Sequence, residues 1–179
     1  MFQSDDTVAV LVDVQEKLFG AMHERDILEA QIIRLLKGLA ALQVPILCTE
    51  QLPDKLGPTV SGLAQWMPNV APITKSSFSC IGEPEFVKAL EGEARRNVVL
   101  CGIEAHVCVY QTAAHLIARG YAVQVIADAT SSRTRDNREL GLTRMRLLGV
   151  DVSSVESTLF EILTDARHPA FKDVLAAVR

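Results

Sequence analysis

Residues 7–13 read TVAVLVD, six uncharged and mostly β-branched residues followed by a carboxylate. A run with no charge inside it is what a strand buried on both faces of a parallel sheet requires. The next segment, VQEKLFG (14–20), reads as a loop. From Asp26 to Leu42 the apolar residues Ile27, Leu28, Ile32, Ile33, Leu35, Leu36, Leu39 and Leu42 recur near a period of 3.6. That spacing predicts an amphipathic helix with Glu24, Glu29, Arg34 and Lys37 outward. Residues 44–48 form the next buried strand, with Pro45 disturbing its start.

Outward from there the pattern repeats. Residues 49–71 (TEQLPDKLGPTVSGLAQWMPNVA) carry three prolines and two glycines without a sustained period. They read as a long functional loop with at most one helical turn around 60–66. Short strands are expected at 72–75, 97–101, 121–127 and 150–152. Helices are expected at 83–93, with Pro84 in the first turn, at 106–119 closed by Gly120, and at 135–148 closed by Gly149. Two short helices follow at 156–163 and 169–178. Strands alternating with helices need crossover connections. The expectation is one domain over residues 1–179, a three-layer α/β/α sandwich around a mostly parallel six-stranded sheet.

The 179 residues are 49% hydrophobic and 22% charged, with a formal net charge of −4. No basic stripe is present, so no nucleic-acid partner is expected. No apolar run nears the roughly 20 residues of a bilayer span, so no membrane partner is expected either. The start MFQSDDTVAVLVD lacks the basic leader of a secretory signal. Cys48, Cys80, Cys101 and Cys108 form no C-x-x-C pair. Reduced thiols and a cytoplasmic setting follow.

In open parallel sheets ligands bind beyond the carboxyl ends of the strands. Asp13 and Gln15 follow the first strand; Thr49, Glu50 and Gln51 the second; Lys75 and Ser76–Phe78 the third. The fourth is followed by GIEAHVC (102–108), and the fifth by Asp128 and Thr130–Arg133. An acid, a cation and a thiol thus stand at three strand ends. Cys108 falls in the first turn of a helix, where amide N–H groups favour a thiolate, the nucleophilic form. The plain alternatives stay open at this point: a cysteine buried for packing, an aspartate in a turn, a solvated lysine. Asp128, Ser131 and Ser132 read as loop and capping residues. His106 and His115, nine apart, read as structural.

LVDVQ (11–15), ITKSSFS (73–79) and CGIEAHVCV (101–109) together resemble the isochorismatase-like cysteine hydrolases. TEQLPDKLGPTV (49–60), DATSSR (128–133) and HPAFK (168–172) extend the likeness, most of all to the isochorismatase domain-containing subgroup. The resemblance implies a Rossmann-like sheet and an Asp-Lys-Cys triad of Asp13, Lys75 and Cys108. It also implies a non-proline cis bond at Ile103–Glu104 and an oxyanion hole from the N–H groups of Glu104 and Cys108. Nicotinamidases of this family hold a metal with histidines after the second strand. Residues 49–66 contain none, so no metal and no cofactor are expected and nicotinamide is disfavoured. The implied activity is hydrolysis of an amide or related C–N bond of a small molecule through a Cys108 thioester. Gln15, Phe19, Trp66 and Phe78 are candidate pocket walls. Relatives form dimers, tetramers or larger rings, so a homo-oligomer is implied. Two rivals remain: a non-catalytic scaffold using the 49–66 loop, and a redox protein pairing Cys108 with Cys80.

Overall fold

β1 (Thr7–Val12) sits inside the sheet, and its side chains divide between two cores. Val8, Val10 and Val12 enter one, Ala9 and Leu11 the other. This is the two-residue period of an extended chain with both faces covered. The computed structural model describes residues 1–179. The remaining strands are β2 (Ile46–Gln51), β3 (Ile73–Lys75), β4 (Asn97–Ile103), β5 (Ala122–Ser131) and β6 (Asp151–Ser153). All six run parallel, in the order β3-β2-β1-β4-β5-β6. The helices are α1 (Glu16–Phe19), α2 (Arg25–Ala41), α3 (Pro53–Leu56), α4 (Ser61–Ala64), α5 (Pro84–Gly92), α6 (Tyr110–Ala118), α7 (Arg135–Leu147), α8 (Val155–Leu163) and α9 (Phe171–Val178).

Helices α2, α4, α8 and α9 pack Leu35, Leu63, Leu159 and Val174 into the core on the Leu11 face. Helices α5, α6 and α7 pack Phe86, Leu116 and Met145 into the core on the Val10 face. The architecture is therefore the expected α/β/α sandwich, with an entirely parallel sheet.

The chain leaves β1 for β2 and β3, then returns across β1 to build β4, β5 and β6 on its other side. That reversal opens a crevice at the carboxyl ends of β1 and β4. Gly102, paired with Val12 in the register, has φ +116°, and a Cβ there would collide with the Val12 carbonyl. Glycine thus lets the two strand ends close up beneath the crevice.

Several boundaries differ from the sequence reading for local reasons. The 14–20 segment contains α1, a helix too short for its period to show. β2 starts at Ile46, because Pro45 has no N–H to give, and runs on to Gln51. The 49–71 segment holds two short helices, α3 and α4. β5 extends four residues past Ala127, through a register shift opposite Leu100 and Gly102. Ile27, assigned to the core by periodicity, is exposed.

Candidate active site

Asp13 is the residue at which β1 stops. Its φ of +53° turns the chain sharply, a conformation aspartate tolerates better than most residues. Its N–H donates to the Thr49 carbonyl at 3.1 Å, which pins the turn to β2. The carboxylate is fully buried. Oδ1 accepts from the Thr49 hydroxyl at 2.8 Å, and Oδ2 accepts from Lys75 Nζ at 2.6 Å.

Lys75 ends β3, two strands from β1, and its side chain is as buried as that of Asp13. Nζ donates to Asp13 Oδ2, to Gln51 Oε1 at 2.7 Å, and to the carbonyls of Ser77 and Phe78, each at 3.1 Å. A buried ion pair is tolerable only when its remaining hydrogen-bonding capacity is satisfied, and here the ammonium is surrounded by acceptors. Gln51 is held in turn: its Nε2 donates to the Ser76 carbonyl at 2.6 Å, and its N–H to Gln15 Oε1 at 2.7 Å.

Cys108 comes from beyond β4. Residues Ala105–Val109 form a single wide helical turn, closed by the Val109 N–H on the Glu104 carbonyl, before α6 begins. Such widened turns are common at functional sites. Cys108 is 8% exposed, and its thiol faces the Asp13 carboxylate closely enough for each to shift the other's titration. Burial and the adjacent Asp13 push the thiol up to about 12, with Lys75 pulling the other way. Burial also raises the Asp13 carboxyl above its ordinary range, against the pull of Lys75 and Thr49. The sequence reading expected a resting thiolate. The surroundings of Cys108 favour the protonated thiol instead, because burial and the neighbouring Asp13 outweigh Lys75 and the helix terminus.

The Ile103–Glu104 bond is cis. The Glu104 N–H donates to no acceptor in the protein. Its side chain accepts from Arg133, through N–H at 3.3 Å and Nε at 3.1 Å. His106 Nδ1 lies 3.0 Å from Ser132 Oγ, and His115 Nδ1 lies 2.9 Å from Ser79 Oγ. Both histidines thus hold loops. Asp128 Oδ1 accepts from the Val155 N–H at the start of α8, and Thr134 caps α7.

The four candidate wall residues scatter. Phe78 is 56% exposed beside the carbonyl that binds Lys75, so its ring stands at the rim. Gln15 is no wall: it is buried, and its amide is used up on Gln51 and on the Gly57 carbonyl. Phe19 packs on the core of the α2 face. Trp66 lies beneath the Lys37 ammonium of α2 at 4.1 Å, on the sheet face opposite the Cys108 core. None of the five main cavities is lined by Asp13, Lys75 or Cys108. The sequence places Thr49 and Gln51 at a strand end without assigning either a role. The two-residue strand period, which turns both to one face, was the signal that picks them out. No three carboxylates, thiols or imidazoles are grouped as metal ligands. No helix is long and apolar enough to cross a membrane.

The family model described as the isochorismatase domain matches residues 7–157. Isochorismatase domain-containing protein 2A of Mus musculus is 36% identical over 176 residues, which cover 98% of this chain and 84% of that protein. The structure described as MAR1 ribonuclease of Caenorhabditis elegans superposes with TM-score 0.93 at 31% identity, covering 99% of this chain and 91% of that one. The Escherichia coli YcaC gene product, described as an octameric hydrolase of unknown specificity, gives TM-score 0.93 at 21% identity, covering 98% and 89%.

Proposed function

The chain belongs to the isochorismatase family, and on that premise we propose that it is a cysteine hydrolase cleaving an amide or related C–N bond of a small molecule. The observation that carries this reading is the buried Lys75–Asp13 pair with the Cys108 thiol set against its carboxylate.

Cys108 Sγ attacks the substrate carbonyl while its proton passes to Asp13, so sulfur becomes anionic only as the S–C bond forms. The oxyanion is received by the free N–H of Glu104 together with that of Cys108. Asp13 then returns the proton to the leaving nitrogen, the C–N bond breaks, and a thioester remains on Cys108. Water, deprotonated by Asp13, attacks the thioester; collapse expels the sulfur, which takes the proton back. Lys75 and Thr49 fix the carboxylate and keep it ionised between transfers, and Gln51 fixes Lys75.

A small molecule fits better than RNA, the substrate class in the C. elegans protein's description. An RNA path needs a basic footprint, whereas this chain is net negative and its rim arginine, Arg133, is tied to Glu104. We propose a homo-oligomer as well. Phe78 is exposed, and α7 exposes Leu140 and Leu147, seven residues apart on one face.

The test is covalent trapping. A library of small amides and activated esters, followed by intact-mass measurement, gives an acyl adduct on Cys108 that hydroxylamine removes. Cys108→Ala gives none. Acyl adducts on other cysteines only, or RNA cleavage that survives Cys108→Ala, would defeat the reading. Absence of any adduct would favour the scaffold alternative.

A further inference from the structure

The face of β2 turned away from Asp13 carries a second buried carboxylate. Strand alternation sends Thr49 and Gln51 toward Lys75, and Cys48 and Glu50 toward α2 and α4. Glu50 is 8% exposed. Its Oε1 accepts from the Thr59 N–H at 2.7 Å and the Thr59 hydroxyl at 2.8 Å, both neutral donors. Its Oε2 makes no hydrogen bond within the protein and keeps access to solvent, and no lysine, arginine or histidine pairs with it. In front of it lies a cavity of about 300 Å³, walled by Pro58, Pro68, Pro72, Ala64, Met67 and Val70.

A carboxylate oxygen that faces a cavity, has no partner in the protein and lacks a counter-charge is an acceptor for a cationic donor entering that cavity. The walls are apolar, so the cation must bring an apolar body with it. Three prolines stiffen the walls, which lowers the ordering cost of filling them. A divalent metal does not fit, because no second acid or imidazole stands beside Glu50 to complete a coordination shell. An anionic ligand would meet the Glu50 charge directly.

We propose that the cavity between β2 and the 58–72 segment binds a small organic ammonium ion, its nitrogen donating to Glu50 Oε2 and its hydrocarbon body lying among the prolines and Met67. The site lies on the opposite sheet face from Cys108 and does not depend on the hydrolase reading.

Benzylammonium is the probe and benzyl alcohol its neutral isostere, titrated calorimetrically against the full chain at neutral pH. The ammonium should bind saturably and at least about tenfold more tightly than the alcohol, the factor expected of a charge-assisted hydrogen bond. Glu50→Gln, which keeps an oxygen for Thr59, should erase that preference. Ala64→Phe, which fills the cavity and keeps Glu50, should abolish binding of both probes. The occupant should also slow alkylation of Cys48, whose side chain lines the cavity. Equal affinity for the two probes, or a preference for the ammonium that survives Glu50→Gln in a variant with unchanged circular dichroism, would overturn the proposal.

Discussion

The end of β2 separates two environments by the width of one strand. On one face Thr49 and Gln51 serve Asp13 and Lys75; on the other, Cys48 and Glu50 look into a proline-walled cavity. Each face buries a carboxylate, and each carboxylate takes hydrogen bonds from a threonine. They differ in one respect: Asp13 has its cation built into the chain, whereas Glu50 does not. A carboxylate with a permanent counter-ion can stay charged in a dry site and exchange a proton with a thiol beside it. A carboxylate lacking one is suited to receiving a cation from outside. The roles proposed for the two acids follow that difference: Asp13 is sealed in beside a built-in lysine, and Glu50 faces a cavity without one.

The sharpest way to break this comparison is to neutralise each acid. Asp13→Asn should lower kcat on a verified substrate by about 10²–10⁴, the usual range for loss of a general base. Glu50→Gln should leave kcat within a few-fold of wild type. Equal losses would erase the distinction between the faces.

Removing the lysine is the next largest effect. Lys75→Met strands Asp13 in the interior and should cost about 3–5 kcal/mol in urea unfolding. Adding Asp13→Asn should restore part of that loss, because the uncompensated charge goes with it. Glu50→Gln should stay within about 1 kcal/mol of wild type, since no ion pair is broken. A Lys75→Met variant as stable as Glu50→Gln would show that the pair compensates no charge.

What the sequence disclosed follows from where chemistry and pattern coincide. The TVAVLV strand matched its structural limits because burial on both faces removes every ambiguous residue. Asp13 and Lys75, 62 positions apart, were flagged together because each immediately follows or ends an apolar strand, and the structure joins them. The sequence ends β5 at Ala127, since Asp128, Thr130 and Ser131 look like loop residues; Asp128 and Ser131 find partners only in tertiary structure, at the Val155 N–H and the His23 carbonyl. Trp66 was misassigned because sequence does not say which sheet face a loop crosses. The upward push on the Cys108 thiol is hidden because a helix terminus is visible in sequence, whereas burial of the side chain by the folded chain is not.

A smaller effect refines the Asp13 side. Thr49→Val removes the hydroxyl from Oδ1 and should cost about 1–3 kcal/mol, the range for a lost hydrogen bond to a buried acceptor. It should also move the acid limb of the kcat/KM profile to higher pH, because the Thr49 hydrogen bond pulls the Asp13 pKa down. Unchanged profiles with unchanged stability would remove Thr49 from the site.

The smallest effect concerns all four thiols. Burial holds Cys48 and Cys108 at about 12 and Cys80 at about 11, and raises Cys101 further. Folded values above the unfolded one mean a contribution fully present below the ordinary thiol range and lost as pH climbs toward 11–12. Thermal unfolding should therefore be level to about pH 8 and weaken above about pH 9. Cys101→Ala should make that decline shallower by up to one proton.

The most direct test of the central claim is the rate at which Cys108 is acylated by a p-nitrophenyl ester between pH 7 and 10, in wild type and Asp13→Asn. A protonated thiol served by an adjacent carboxylate predicts a rate nearly independent of pH across that interval and a collapse of the rate in Asp13→Asn. A rate that climbs about tenfold per pH unit to a plateau below pH 9, unaltered by Asp13→Asn, would contradict it.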